Sequence, residues 1–248
     1  DVNRNFRDFA AVLPRNAAYA RLHATLVPPL WPPSIGNEIH LLLAVMRAGG
    51  REAFKDAVSR GQCEFADGLF YGGREPCWSN RMLREAIADA GRHASAVGWI
   101  DLHTGLGRRG HGEMIFNGHH RAQDLARARQ WWGAGVTSMY DMSSVSSEVA
   151  GANFAALDAL VSEGKTCAAI TIEFGTRSQR VVLGALRARQ WLTNHPDAPA
   201  SRRRSILRAS RDAFYVDEDG WKDALYMTTR DAVLRGAAAL RRATGATP

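Results

Sequence analysis

The chain has 248 residues, a formal net charge of +7, and hydrophobic and charged shares of 46% and 23%. That length buries a sizeable core, and the composition is that of an ordinary globular protein. No apolar run approaches the roughly 18 to 20 residues of a membrane span; Leu41 to Met46 is among the longest, which excludes a spanning helix.

Neither an internal repeat nor a low-complexity linker interrupts the sequence, so a single domain over 1–248 is expected. Cys63, Cys77 and Cys167 are odd in number and lack metal-ligand spacing, which favours a reducing compartment, the cytoplasm. The first residue is Asp1 rather than methionine, so the chain is expected to be partial.

Taken in chain order, residues 16–27 read as a helix stopped by Pro28-Pro29 and Pro32-Pro33. Ile39 to Met46 and Glu52 to Val58 read as two more, broken at Gly49-Gly50. Residues 61–76 form a loop rich in glycine and aromatics. Ser79-Asn80 caps a helix running to about Ala94, with Glu85 placed to support it. Val97 to His103 is a strand, and 105–118 a long glycine-rich loop of the kind that carries function. A helix over 121–132, a short strand from Val136 to Tyr140, a helix from Phe154 to Val161 and a buried strand from Cys167 to Phe174 follow. Helices near 179–193, 200–213 and 221–243 complete the chain. Strands alternating with helices predict an α/β fold, with a largely parallel or mixed central sheet covered by helices on both faces.

The positive charge is almost all arginine, with lysine only at 55, 165 and 222. Its densest run, Ser201 to Arg211, holds no interleaved aromatic, which argues against nucleic-acid binding. Arg204, Arg208 and Arg211 are spaced for one face of a solvated amphipathic helix, with Ile206 and Leu207 elsewhere. The expected partner is a small-molecule or peptide substrate rather than nucleic acid or membrane.

The chemistry concentrates in Trp99-Ile-Asp-Leu-His-Thr-Gly-Leu-Gly107 and Ile172-Glu-Phe-Gly-Thr176. Each is an apolar run ending in an ionisable residue and then glycine. A buried strand delivers a side chain to the rim of an α/β sheet in this way. His103 and Glu173 therefore form a candidate pair of metal ligand and general base. Asp101 and His103 share a strand face, because side chains alternate with period two. A carboxylate at Glu173, inside a buried strand, is costly unless paired or metal-bound, and such carboxylates cluster at sites. Asn3-Arg4-Asn5 is a dense polar triplet, and the arginine fork suits a carboxylate.

Five segments occur in family order and together resemble the zinc carboxypeptidase superfamily: Asp1-Val-Asn-Arg-Asn-Phe6, Asp67 to Gly73 with Trp78-Ser79, Asp101 to Gly107, Gly112-Glu113, and Glu173 to Thr176. Within it they look like a bacterial branch catalogued as a domain of unknown function, near the succinylglutamate desuccinylase and aspartoacylase group. The resemblance implies a carboxypeptidase-like fold and a zinc-dependent hydrolase. Such an enzyme cleaves an amide beside a free carboxylate in a peptide or an N-acyl amino acid. It makes His103 the third zinc ligand and Glu173 the base that activates water. It gives Asn3 and Arg4 the substrate carboxylate, lets Arg4 polarise the scissile carbonyl, and makes Tyr140 a mobile tyrosine that closes on substrate.

One departure stands out. The family's first two zinc ligands come from a His-x-x-Glu motif, and none of the eight histidines here begins one. The resemblance therefore puts those ligands and the first strands upstream of Asp1, with the chain inactive alone. His111, Glu113, His119 and His120 are the nearby side chains that could rebuild a site. The rival readings are an N-acyl amino acid deacylase of the aspartoacylase type and a non-catalytic carboxylate-binding module without metal.

Overall fold

The computed structural model describes residues 1–141 and 143–245; Met142 and 246–248, the last residues of the expected domain, lie outside the described residues. The chain groups into two compact units, each assembled from separate stretches.

The first unit takes Asp1–Cys77, Ser147–Ala152 and Ser178–Tyr215. Its helices are α1 (Ala17–Leu26), α2 (Ile35–Arg47), α3 (Arg51–Ser59), α7 (Gln179–Asn194) and α8 (Ala200–Phe214). The Asn16 side chain caps α1 by accepting from the Tyr19 N–H at 2.9 Å, and Ser34 caps α2 by accepting from the Asn37 N–H at 3.1 Å. Tyr19, Leu22 and Leu26 of α1 pack on Phe54 and Val58 of α3, with Leu41, Ala44 and Val45 of α2 alongside. Trp191 and Leu192 of α7 close on Ile206 of α8. Arg204, Arg208 and Arg211 are exposed on α8 as expected; Ile206 is buried and Leu207 is 40% exposed.

The second unit takes Trp78–Ser146, Asn153–Arg177 and the chain from Val216 on. It holds α4 (Trp78–Gly91), α5 (Ala122–Trp132), α6 (Asp158–Ser162) and α9 (Asp219–Thr244). Its sheet is β1 (Ala96–Arg109), β2 (Gly112–Phe116) and β3 (Thr166–Gly175), in the order β1-β3-β2. β1 runs parallel to β3 and β2 antiparallel to it, so the sheet is mixed.

Alternation along β3 divides the unit into two layers. Ala168, Ile170, Ile172 and Phe174 face one way, onto Ala128, Trp131 and Trp132 of α5 and Trp221, Ala232 and Ala239 of α9. Cys167 and Ala169 face the other way, onto Leu157 and Leu160, with Ile87 of α4 packed against them. The expected helices on both faces of the sheet are present.

The segment after His103 differs from the expected loop. β1 continues to Arg109, the chain turns at Gly110-His111, and β2 begins at Gly112. Because β1 and β2 lie on opposite sides of β3, this segment wraps over the carboxyl end of β3. Gly175 donates to the His111 carbonyl and accepts from the Gly110 N–H, at 3.2 and 3.1 Å. Positive φ at Gly105, Gly107 and Gly110 lets the chain bend around that end. The glycines that suggested a loop are the means of carrying a strand past its neighbour.

Other expectations change: α2 begins at Ile35 rather than Ile39, and Ser79-Asn80 lie inside α4, which ends at Gly91, rather than capping it. The strand expected at Val136 to Tyr140 reduces to a single bridge between Ile115 and Thr137, because the chain turns at once and pairs no further. The helix expected at Phe154 to Val161 is a 3-10 turn at Asn153–Leu157 followed by α6.

Candidate acid-base site at the carboxyl end of the sheet

Register alone brings the central residues together. His103 of β1 is paired with Glu173 of β3, and Glu173 is paired with Glu113 of β2. Paired residues point to the same side of a sheet, so one histidine and two carboxylates form a row across three strands. They lie on the face away from the Trp131–Trp132 core.

Asp101 sits two residues before His103 on the same face. The His103 Nε2–H donates to Asp101 Oδ2 at 2.8 Å, which leaves Nδ1 to face Glu173 Oε2 at 3.8 Å. Asn153 donates its side-chain amide to the same Asp101 oxygen at 2.6 Å, and Asn117 in turn lies 3.4 Å from the Asn153 carbonyl oxygen. Burial alone would raise the Asp101 carboxyl, but the hydrogen bond and charge of His103, with the Asn153 amide, hold it below the usual range. Asp101 is therefore a carboxylate that fixes the proton of His103 on Nε2.

Glu173 is 6% exposed. Its Oε1 accepts the Leu106 N–H at 2.9 Å, a donor supplied by the wrapping segment. Burial pushes its carboxyl above the usual glutamate range, with Glu113 and Asp101 adding to the rise and Leu106 and His103 opposing it. A carboxyl raised above its ordinary range, held by one oxygen and aimed at a histidine by the other, is suited to moving a proton.

Glu113 has a second task. It accepts from the Thr137 hydroxyl at 2.6 Å and from the Val145 N–H at 3.2 Å. It thus ties down both ends of the segment that carries Tyr140. Sequence reading placed Glu113 in a loop. Its signal was the polar residue ahead of Met114-Ile-Phe116, masked by the flanking glycines. Asn153 was missed altogether, since nothing in its local sequence links it to Asp101.

The remaining expected residues make other contacts. The Tyr140 hydroxyl donates to the Gly118 carbonyl at 2.8 Å, and its ring stacks on His120 at 4.5 Å. His119 contacts Asp158 at 2.7 Å, and His111 is exposed at the turn. In the other unit, Asn3 and Arg4 lie in a 3-10 turn at Val2–Arg4. Arg4 is 9% exposed, and both Nε and Nη2 donate to the Ser59 carbonyl, at 3.1 and 2.6 Å. Nη1 lies 3.4 Å from the Asp1 carboxylate, and the guanidinium covers the Phe70 ring at 4.3 Å. Burial lowers its pKa to about 10, which leaves it charged at neutral pH.

A catalytic zinc needs three protein ligands and an open position. Among the described residues no group of three His, Cys, Asp or Glu side chains is placed to hold a metal ion. His103 offers one nitrogen, its outer partner Asp101 is in place, and the set stops there. The described residues do not by themselves fit a complete zinc centre.

The chain belongs to the family described as Protein of unknown function (DUF2817), which matches residues 1–228. No curated protein and no solved structure matches it. Among the described residues no helix is long and apolar enough to cross a membrane.

Proposed function

We propose that this chain is a hydrolase of the carboxypeptidase type, acting on an amide beside a free carboxylate in a peptide or an N-acyl amino acid. The observation that carries the reading is the row His103–Glu173–Glu113 across β1, β3 and β2, with Asp101 bonded to His103. An oriented histidine beside a raised, buried carboxyl supports this reading, because perturbed acid-base groups gather at catalytic sites.

In this reading Glu173 is the general base. Its Oε2 takes a proton from the attacking water and returns it to the leaving nitrogen, while the Leu106 N–H steadies Oε1. Asp101 and Asn153 keep the His103 Nδ1 lone pair turned toward the reacting centre. If zinc takes part, His103 would be its ligand from this chain, and no step above depends on it. Calorimetry with zinc on this chain is expected to show no stoichiometric submicromolar binding. Such binding would reveal ligands beyond His103 within the chain.

The test is hydrolysis of dipeptides and N-acetyl amino acids, each beside its carboxamide analogue, with and without added zinc. Turnover of the free acids that exceeds turnover of the amides and depends on Glu173 supports the reading. Absence of turnover in every pair, with binding of the free acids retained, favours a carboxylate-binding module.

The resemblance also gives the substrate carboxylate to Asn3 and Arg4, and here the fork of Arg4 would have to leave Ser59 to take it. Arg4→Ala is therefore expected to lower stability by about 1 to 3 kcal/mol, the cost of stranding a buried polar partner, read as a fall in the urea midpoint. A drop in turnover confined to free acids would add substrate binding to that structural role.

A further inference from the structure

Helix α2 of the first unit is apolar on two opposite sides. Leu41, Ala44 and Val45 pack into the core with α1 and α3, joined by Ala48 just past the helix end. Ile35, Ile39, Leu42 and Met46 face solvent instead, at 82%, 50%, 66% and 65% exposed. At about 100° per residue these four fall within an arc of about 60°, almost opposite the core-facing residues. None of the thirteen residues of α2 is fully buried. A helix with a single core face carries polar residues on the other. This one carries a second seam.

The spacing of the seam is four, three, four, which is the alternation that lets two helices interlock side chains along a line. Leu30, 69% exposed, lies in the turn just before α2. The four seam residues offer on the order of 500 Å² per chain, at the upper end of patches on monomers; two copies would bury about 1,000 Å², where specific interfaces begin. A membrane surface is the poorer fit. The seam is flanked by Gly36, Glu38, His40, Leu43 and Arg47, without the lysine and arginine rim that anionic lipid selects.

We infer that the exposed face of α2 is a self-association surface, on which a second copy of this chain lays its own α2 antiparallel across a two-fold axis. The surface is independent of the proposed hydrolase site. A patch repeated on both partners satisfies a two-fold interface without needing a second kind of surface.

Sedimentation velocity of the whole chain from about 1 μM to about 100 μM tests this, since an interface of minimal size gives affinities in the micromolar range. The expected result is a concentration-dependent shift from monomer to dimer. Leu42→Glu and, separately, Met46→Lys should remain monomeric across the range, with circular dichroism and melting temperature unchanged. A wild-type chain that stays monomeric overturns the inference. So does dimerisation that survives both substitutions in folded protein. A monomer that floats with phosphatidylcholine–phosphatidylserine vesicles, and loses that with Leu42→Glu, would make the face a lipid-docking one instead. Loss of fold in both variants would show that the seam supports the monomer, which also overturns it.

Discussion

Glu173→Gln is expected to lower kcat for the proposed hydrolysis by at least about 10²-fold, the usual cost of losing a general base, while making the fold more stable at neutral pH. The two effects share one cause. Burial raises the Glu173 carboxyl above its ordinary range. The folded chain then holds that proton more tightly than the unfolded chain does. The resulting stability is fully present below the ordinary glutamate pKa and is lost as pH rises through the raised folded value. Glutamine keeps the shape and still accepts from the Leu106 N–H, but carries no charge to desolvate. Urea unfolding should therefore show the variant ahead of the wild type at pH 8 and level with it at pH 4. A variant that is weaker at pH 8 would refute the desolvation account. Unchanged turnover would remove Glu173 from the chemistry while leaving its burial explained.

Gly175→Ala is expected to be the most damaging single methyl group in the chain. A Cβ there would stand 2.2 Å from the Arg108 carbonyl oxygen and 2.6 Å from that of Gly107. Both atoms are backbone, so no side chain can rotate aside. Overpacking typically costs about 1 to 3 kcal/mol when side chains can adjust. With the backbone fixed, the cost should reach about 3 kcal/mol or more, a fall of about 6 to 12 °C in melting temperature for a chain of this size. The damage should also reach the site, because moving residues 106 to 108 withdraws the donor from Glu173. Gly184→Ala is the control. It lies in α7 with no heavy atom within 4 Å of its would-be Cβ, and alanine there should raise stability by up to about 1 kcal/mol. Equal effects at the two positions would sink the close-approach argument.

The rim pair was legible because the strands that carry it are nearly continuous apolar runs ended by glycine. Apolar residues before His103 and Glu173 fix two strands, and period two puts Asp101 beside His103; only β3 is buried throughout, whereas β1 lies at the sheet edge and is mostly half-buried, with Leu102 52% exposed. Parallel neighbours with matching ends then bring the pair into register. The long helices α7 and α9 were legible from sustained periodicity, whereas α2, expected from Ile39, begins at Ile35 behind a Ser34 cap that the proline-rich stretch before it hid. What escaped was whatever depends on the partner rather than the segment. Nothing local in Gly105 to Gly118 says that the chain will cross the end of a strand formed some sixty residues later. Glu113 therefore read as a loop residue, although the crossing makes it the third member of the row. Asn153 reaches Asp101 across 52 residues of sequence. Arg4 read as a free clamp, and only the folded chain shows its donors already taken by Ser59.

The interleaving of the two units bears on the order in which a ribosome releases them. The chain passes from one unit to the other between residues 77 and 78, 146 and 147, 152 and 153, 177 and 178, and 215 and 216. No single cut yields either unit whole. During synthesis residues 1–77 wait for α7 and α8, which emerge only after the whole sheet of the second unit. That sheet in turn waits for α9, whose Trp221 donates to the Gly175 carbonyl and whose Ala232 accepts from Trp132. Chains made only as far as the sheet therefore expose apolar surface of both units at once, the kind of intermediate that aggregates.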